Sequence, residues 1–375
     1  MSPSRLPERV ALVHDHLNQV GGAEKVLEVF HELFSDAPVY TLVHDPELTH
    51  RRFADWDIRS SFIERLPGGR RHFKWYLPLM PRAFERFDLS EYDLVLSDSS
   101  AFSKGVITRP GTLHVSYCHT PTRYLWSDRD TYVRELNTNW LVKRTLPILQ
   151  RRLRHWDALA ADRVNRFIAN SHFVAGRIFN YYQRESTVIY PPVDVEQLQQ
   201  HQPTTGEAYL LVARFRPYKR VDLAIRAANQ HGARLDIIGS GEDEARLRKL
   251  AGPTVRFLGR VADIGEHLAS CRAFINPQEE DFGIAAVEAM ASGKPVIAYR
   301  AGGAKEIIQE GETGVFFDRQ EPEALVAAMR RFESMTFDPE RIQQAAQRFS
   351  RERFITELST YLEGAWEAFR KQSHS

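Results

Sequence analysis

A chain of 375 residues is too long for one ordinary domain and suits two, at roughly 100–200 residues each. Hydrophobic residues make up 43% and charged residues 26%, which excludes a disordered or fibrous chain. The net charge of +1 argues against a nucleic-acid binder held by phosphate neutralisation, and two cysteines, Cys118 and Cys271, provide neither a disulfide framework nor a zinc cluster.

In chain order, residues 10–14 form an apolar run that meets Gly21-Gly22. Residues 23–34 then carry Val26, Leu27, Phe30 and Phe34 at helical spacing. Short β-rich runs at 39–43, 94–96, 113–117, 167–169 and 187–190 predict strands. The Pro-, Gln- and Thr-rich segment from Tyr190 to Gly206 reads as a linker. The pattern restarts with strands at 209–213, 235–238, 255–258, 273–276, 295–298 and 315–317, and with helices at 221–229 and 243–250 among others. Such alternation predicts two α/β domains built on parallel sheets, with a cleft where they face. Near the end, Phe354, Leu358, Tyr361, Leu362, Trp366 and Phe369 mark an amphipathic helix over 351–369.

No stretch approaches the roughly 18 consecutive apolar residues of a spanning helix. The N-terminus runs into a strand pattern without the apolar core of a secretory leader, so the expected location is the cytoplasm. Two segments are basic and interleaved with aromatic or aliphatic residues. One runs from Arg65 through Arg70, Arg71, Lys74 and Trp75 to Arg82. The other runs from Lys143 and Arg144 to Arg151, Arg152, Arg154 and Trp156 and is interrupted by Pro147. Each fits either an ordinary charged surface or peripheral contact with an anionic membrane.

The densest chemical signal is the run from Asn276 to Glu288, in which a strand gives way to an acidic loop and then to a helix entered near Phe282 or Gly283. A helix N-terminus presents free N–H groups and a positive dipole end, a natural seat for a diphosphate. Glu280 and Glu288 are carboxylates of the kind that accept hydrogen bonds from vicinal diols. Alternatively, they are acids on a solvated loop and a helix surface. Arg214, Lys219 and their basic neighbours follow the first strand of the second domain, where cations can neutralise a departing diphosphate or merely face solvent. Gly239-Ser240-Gly241 supports a tight turn beside a nucleotide but lacks the third glycine of a dinucleotide fingerprint.

In the first domain, Gly21-Gly22 at a strand-to-helix turn either serves the turn alone or lets a ligand approach the backbone. His119 follows another strand and is either a structural histidine or a residue facing the cleft. Pro121, Arg123, Tyr124 and Trp126 beside it suit sugar stacking and hydrogen bonding. His14 and His16 have no third ligand at metal-site spacing. Neither a G-x-S-x-G elbow nor a P-loop occurs.

Together these motifs resemble the family 4 retaining glycosyltransferases. The most specific element is E-x7-E, matched by Glu280 and Glu288. It is joined by Arg214 and Lys219, the His119-Thr-Pro segment, and Ala301-Gly302-Gly303-Ala304-Lys305-Glu306, which is similar to the family's Gly-Gly-x-x-Glu loop. The resemblance implies the GT-B fold, an α/β architecture of two Rossmann-like domains facing across a cleft. The N-terminal acceptor domain would span 1–190, the linker 191–207 and the nucleotide-sugar domain 208–350, with a crossover helix over 351–375 that packs on the first domain.

By the same resemblance the donor is a nucleotide sugar and no obligatory metal or other cofactor is expected. Glu280, His119, Lys219 and Arg214 are the implied catalytic group. Donor contacts are expected from Gly21, Gly22, Arg214, Lys219, Gly239, Val261, Phe282, Gly283, Ile284 and Glu288, and acceptor contacts from Asp15, His16, Arg123 and Tyr124. The Cys118-His119-Thr-Pro-x-Arg-Tyr-Leu-Trp126 segment looks most like bacterial O-antigen and exopolysaccharide mannosyltransferases. That likeness points to GDP-mannose, a lipid-linked or oligosaccharide acceptor, and the inner face of the cytoplasmic membrane. A UDP-hexose donor, a nucleotide-sugar epimerase and a non-catalytic glycan-binding relative are the alternatives.

Overall fold

Residues 10–13 are apolar on both faces of the chain, which suits a strand covered on both sides of a parallel sheet. The computed structural model describes residues 6–129 and 140–373. The chain divides into two compact units, residues 1–190 with 355–375 and residues 191–354.

Among the described residues of the first unit, seven parallel strands make one sheet: β1 (Val10–His14), β2 (Val39–Thr41), β3 (Ile58–Ser60), β4 (Leu94–Ser99), β5 (Leu113–Cys118), β6 (Arg166–Ala169) and β7 (Ser186–Val188). Their order is β3-β2-β1-β4-β5-β6-β7. The winding reverses between β1 and β4, and open α/β sheets bind ligands outside the carboxyl ends of the strands at such a reversal. Register places His14 beside Asp98 and Ser99 beside Cys118, so these residues meet at that end.

The helix Gly22–Leu33 buries Val26, Leu27, Val29 and Phe30. Each such side chain contributes about 1.5–3 kcal/mol on burial. Two details depart from the sequence pattern. Strand β3 is a half-buried edge strand, Ile-Arg-Ser, with no apolar run to announce it. The helix Trp140–Asp162 runs through Pro147, which was expected to interrupt it. The Pro147 ring removes one backbone hydrogen bond, and the helix continues beyond it to Asp162.

In the second unit, described strands β8 (Tyr209–Val212), β9 (Leu235–Ile238), β10 (Val255–Gly259), β11 (Phe274–Asn276), β12 (Val296–Tyr299) and β13 (Gly314–Phe317) form a parallel sheet in the order β10-β9-β8-β11-β12-β13. Here the winding reverses between β8 and β11. Helices Val221–His231 and Pro322–Glu333 cover one face, where Leu223, Leu325 and Met329 join Leu211, Ile237 and Ile297 in the core. A short helix, Val195–Gln199, stands in the segment read as a linker, and Val193 pairs with Ser350.

The final helix, Arg351–Ser373, belongs to the first unit from Ile355 onward and buries Leu358 and Leu362. No helix among the described residues is long and apolar enough to cross a membrane.

Candidate active site

Chemistry-bearing residues gather at the carboxyl end of each sheet, and the two clusters differ in kind. In the second unit, β8 leads through exposed Arg214 to the short turn Pro217–Lys219. Arg220 follows with left-handed backbone (φ 49°), and its guanidinium donates to the Gln320 side chain at 3.0 Å and to the Gln320 carbonyl at 3.3 Å. Gln320 in turn donates to the Pro277 carbonyl at 2.9 Å, so one side chain ties the basic turn to the acidic loop after β11. Across this tie, Lys219 Nζ lies 2.6 Å from Glu280 Oε1, and Gln278 Nε2 donates to the same oxygen at 2.5 Å.

The backbone at Glu280 is fixed from the other side. Gly303 N–H donates to the Glu280 carbonyl at 2.9 Å. A Cβ on Gly303 would sit 2.3 Å from the Phe282 carbonyl oxygen, which is why the loop after β12 needs glycine there. Gly283, with φ 116°, then caps the helix Ile284–Ala291, which starts one residue later than the sequence pattern suggests. Phe282 is buried edge-on to Phe349, and Glu288 is buried one turn into the helix. Gly239 follows β9 and donates to Gly259 at 2.7 Å, while half-buried Val261 follows β10. Every expected donor residue of this unit therefore lies after β8, β9, β10 or β11. Among the described residues, buried Asn276 Nδ2 and Gln278 Oε1 find no hydrogen-bond partner. Such orphans cost about 1–3 kcal/mol each, and a polar ligand over the strand tips would relieve them.

In the first unit the charges are buried and paired with one another. His14 Nδ1 donates to Asp98 Oδ2 at 2.8 Å, and His119 Nε2 meets Asp98 Oδ1 in a shorter contact. His14 Nε2 faces Glu24 Oε1 at 3.6 Å. Burial alone would depress the His14 pKa, but the hydrogen bonds and charges of Asp98 and Glu24 outweigh it and hold the imidazolium to about 10. Burial works in the opposite sense on Asp98, and the two histidines hold its carboxyl below the usual range. Gly21 and Gly22 open the helix above β1, and neither carries a left-handed backbone.

Asp15 corrects an expectation. Predicted to touch an acceptor, it is buried, and its two oxygens accept from the N–H groups of Ser100, Ala101, Phe102 and Ser103 and from the Ser100 hydroxyl, at 2.6–3.0 Å. Against the cost of burial, His16 and those donors hold its pKa down. This carboxylate fastens the loop after β4. His16 is half-buried against the Phe73 ring, and burial pushes its pKa down. Arg123 pairs with Asp128 at 2.8 Å, and Tyr124 packs on Phe102 while its carbonyl accepts from Gln150.

A second buried hub holds the segment that follows His119. Asp157 accepts from Lys104 Nζ at 2.5 Å, Thr122 Oγ1 at 3.1 Å, Trp126 Nε1 at 2.8 Å and the Tyr182 hydroxyl at 2.7 Å. The sequence reading missed Asp98, Lys104 and Asp157. The apolar run of β4 ends at Leu96, and Asp98 sits in its polar extension, Ser97-Asp98-Ser99.

Comparison with known families concerns the chain as a whole. Residues 20–197 match the profile described as "Glycosyltransferase Family 4" and residues 194–349 the one described as "Glycosyl transferases group 1". The chain belongs to the family 4 glycosyltransferases. An uncharacterised glycosyltransferase of Methanocaldococcus jannaschii is 27% identical over 46% of this chain and 50% of its own length. A GDP-mannose-dependent alpha-mannosyltransferase of Mycobacterium tuberculosis is 38% identical over 30% of this chain and 32% of its own. The aligned region thus spans half or less of these relatives' length. The crystal structure of Anabaena HepE in complex with UDP-glucose shares the fold at 19% identity, with a TM-score of 0.69 over 95% of this chain and 100% of that one. This glycosyltransferase therefore has the GT-B architecture, with two Rossmann-like parallel sheets.

Proposed function

We propose that this glycosyltransferase moves mannose from GDP-mannose to a lipid-linked or oligosaccharide acceptor, with retention of anomeric configuration, in bacterial surface polysaccharide synthesis. The observation that carries the reading is the cluster at the carboxyl end of β8 and β11. A lysine held by one carboxylate and an exposed arginine follow β8, and a glycine-capped helix carrying a second, buried carboxylate follows β11. Arg214 and Lys219 take the diphosphate and offset the charge that develops on it as the glycosidic bond breaks, so no metal is required. Glu288 holds the ribose hydroxyls and Glu280 the sugar hydroxyls. The backbone around Phe282, Gly283 and Ile284 completes the cradle, with Gly239 and Val261 beside it. His119 hydrogen-bonds a hydroxyl of a substrate sugar. The likeness to relatives named as GDP-mannose-dependent supports the donor, over about a third of their length.

The setting is the inner face of the cytoplasmic membrane. In support, Trp75 is 71% and Ile148 61% exposed, beside exposed Arg70, Arg71 and Lys74 in one case and Arg144 and Arg151 in the other. Sedimentation with anionic vesicles should fall as salt rises, and no sedimentation at low salt would remove the membrane from the account.

The direct test is incubation with each nucleotide sugar, with and without a lipid-linked glycan, and analysis of products. Acceptor-dependent α-mannoside from GDP-mannose is expected. Altered nucleotide sugar formed without acceptor would make the protein an epimerase. Transfer from a UDP-hexose alone would overturn the donor.

A further inference from the structure

His119 is anchored at two points. Its backbone N–H donates to the Ser99 carbonyl at 2.8 Å, and its ring Nε2 rests on Asp98 Oδ1. Tyr117 packs against the ring at 67°, which fixes the ring's plane. Asp98 is fully buried and gives its other oxygen to His14 Nδ1. An ionised carboxylate only accepts hydrogen bonds, so both imidazole nitrogens facing it must carry protons. For a neutral His119, that leaves Nδ1 as the unprotonated atom.

We propose that Asp98 is a positioning residue that fixes His119 as its Nε2–H tautomer and so presents Nδ1 as a hydrogen-bond acceptor to a substrate hydroxyl. Its partners extend the chain of control. On its far side His14 also faces Glu24, and Asp98 is held between two histidines. Among the described residues, the charged and titratable groups of this network come from three strand ends and one helix: His14 at the end of β1 with Asp15 and His16 after it, Asp98 on β4, Cys118 and His119 at β5, and Glu24 on Gly22–Leu33. An acceptor at this position suits a sugar hydroxyl, which donates, and disfavours a carbonyl or phosphate oxygen, which does not. The last step rests on the proposed glycosyl transfer, whereas the tautomer does not.

Ring nitrogen–proton correlation spectra of the wild-type protein at neutral pH read the tautomer directly, with His119→Gln used only to assign the signal. A ring protonated at Nε2 alone is expected. A ring protonated at Nδ1 alone, or at both nitrogens, would overturn the proposal, whatever reaction the protein catalyses. Kinetics supply the second arm. Asp98→Ala should lower kcat on the order of tenfold to a hundredfold with little change in donor KM, as expected for a misplaced contact. In a His119→Ala background the same change should cost nothing further. Additive losses in the double variant would show that Asp98 acts on something other than His119.

Discussion

The carboxyl ends of the two sheets use similar residues under opposite conditions. In the first unit, Asp15, Asp98 and Asp157 are buried, and each is bound by several donors of this same chain. In the second, Lys219 and Glu280 are 17% and 18% exposed and lean on each other. A fully buried ion cannot lose its partner without a large desolvation penalty, whereas a pair that still reaches solvent can exchange partners at a smaller cost. The first cluster is therefore a fixed scaffold. Under the proposed function the second is the one that exchanges: the diphosphate would replace Glu280 on Lys219 and leave Glu280 to the sugar.

The contrast breaks most visibly at Asp157. Asp157→Ala strands the Lys104 charge and should destabilise the protein by about 3–5 kcal/mol in denaturant unfolding. The double change Lys104→Met with Asp157→Leu should recover only the part due to the stranded charge, because Thr122, Trp126 and Tyr182 still lose their acceptor. A loss below about 1 kcal/mol for the single variant would mean that the first cluster is not the fixed one. Lys219→Ala should do the reverse. It should reduce transition-state stabilisation by about 3 kcal/mol in kcat/KM, while folding stability changes by no more than about 1 kcal/mol.

The pH dependence sharpens the same comparison. His14 titrates near its ordinary value when unfolded and at about 10 when folded, so its contribution is complete below about pH 6.5 and lost as pH rises toward 10. Unfolding measurements should show stability falling over that window by up to about 1.4 kcal/mol per pH unit, with the slope flattened in His14→Gln. Asp15, Asp98 and Glu24 have lowered values and act in the opposite sense, stabilising above the ordinary carboxylate range and failing as pH falls through it. The smallest effect is at Glu280. Glu280→Gln removes the carboxylate that competes for Lys219, so GDP should bind a few-fold more tightly even as turnover slows, a change of about 0.5–1 kcal/mol in calorimetry. Weaker GDP binding in that variant would contradict the exchange.

Much of the second cluster was legible in the sequence because its chemistry is local. Strand, acidic loop, Gly283 and helix follow one another, and Glu280 and Glu288 lie in one run. The glycines of the loop after β12 were visible too, although only the structure shows that Gly303 touches the backbone at Phe282. The first cluster was hidden because its partners are far apart in the chain. Asp98 meets His14 from 84 residues away, and it lies on a strand whose apolar pattern has already ended. Asp15 was visible, but its role was misread, since nothing local shows that a loop 85 residues later would wrap around it. Lys104 and Asp157 look like ordinary surface charges until a β-sheet and a long helix bring them together.

The central claim is that the second cluster binds a guanosine diphosphate sugar. A thermal-shift screen of the full chain against GDP, UDP, ADP and their sugar conjugates, with Glu288→Ala as the control, tests it most directly. At about a hundred times its dissociation constant, a ligand adds roughly 2.7 kcal/mol of stability. GDP and GDP-mannose should raise the melting temperature of the wild type and much less that of Glu288→Ala. A selective response to UDP species would overturn the donor, and no response to any nucleotide would contradict the account.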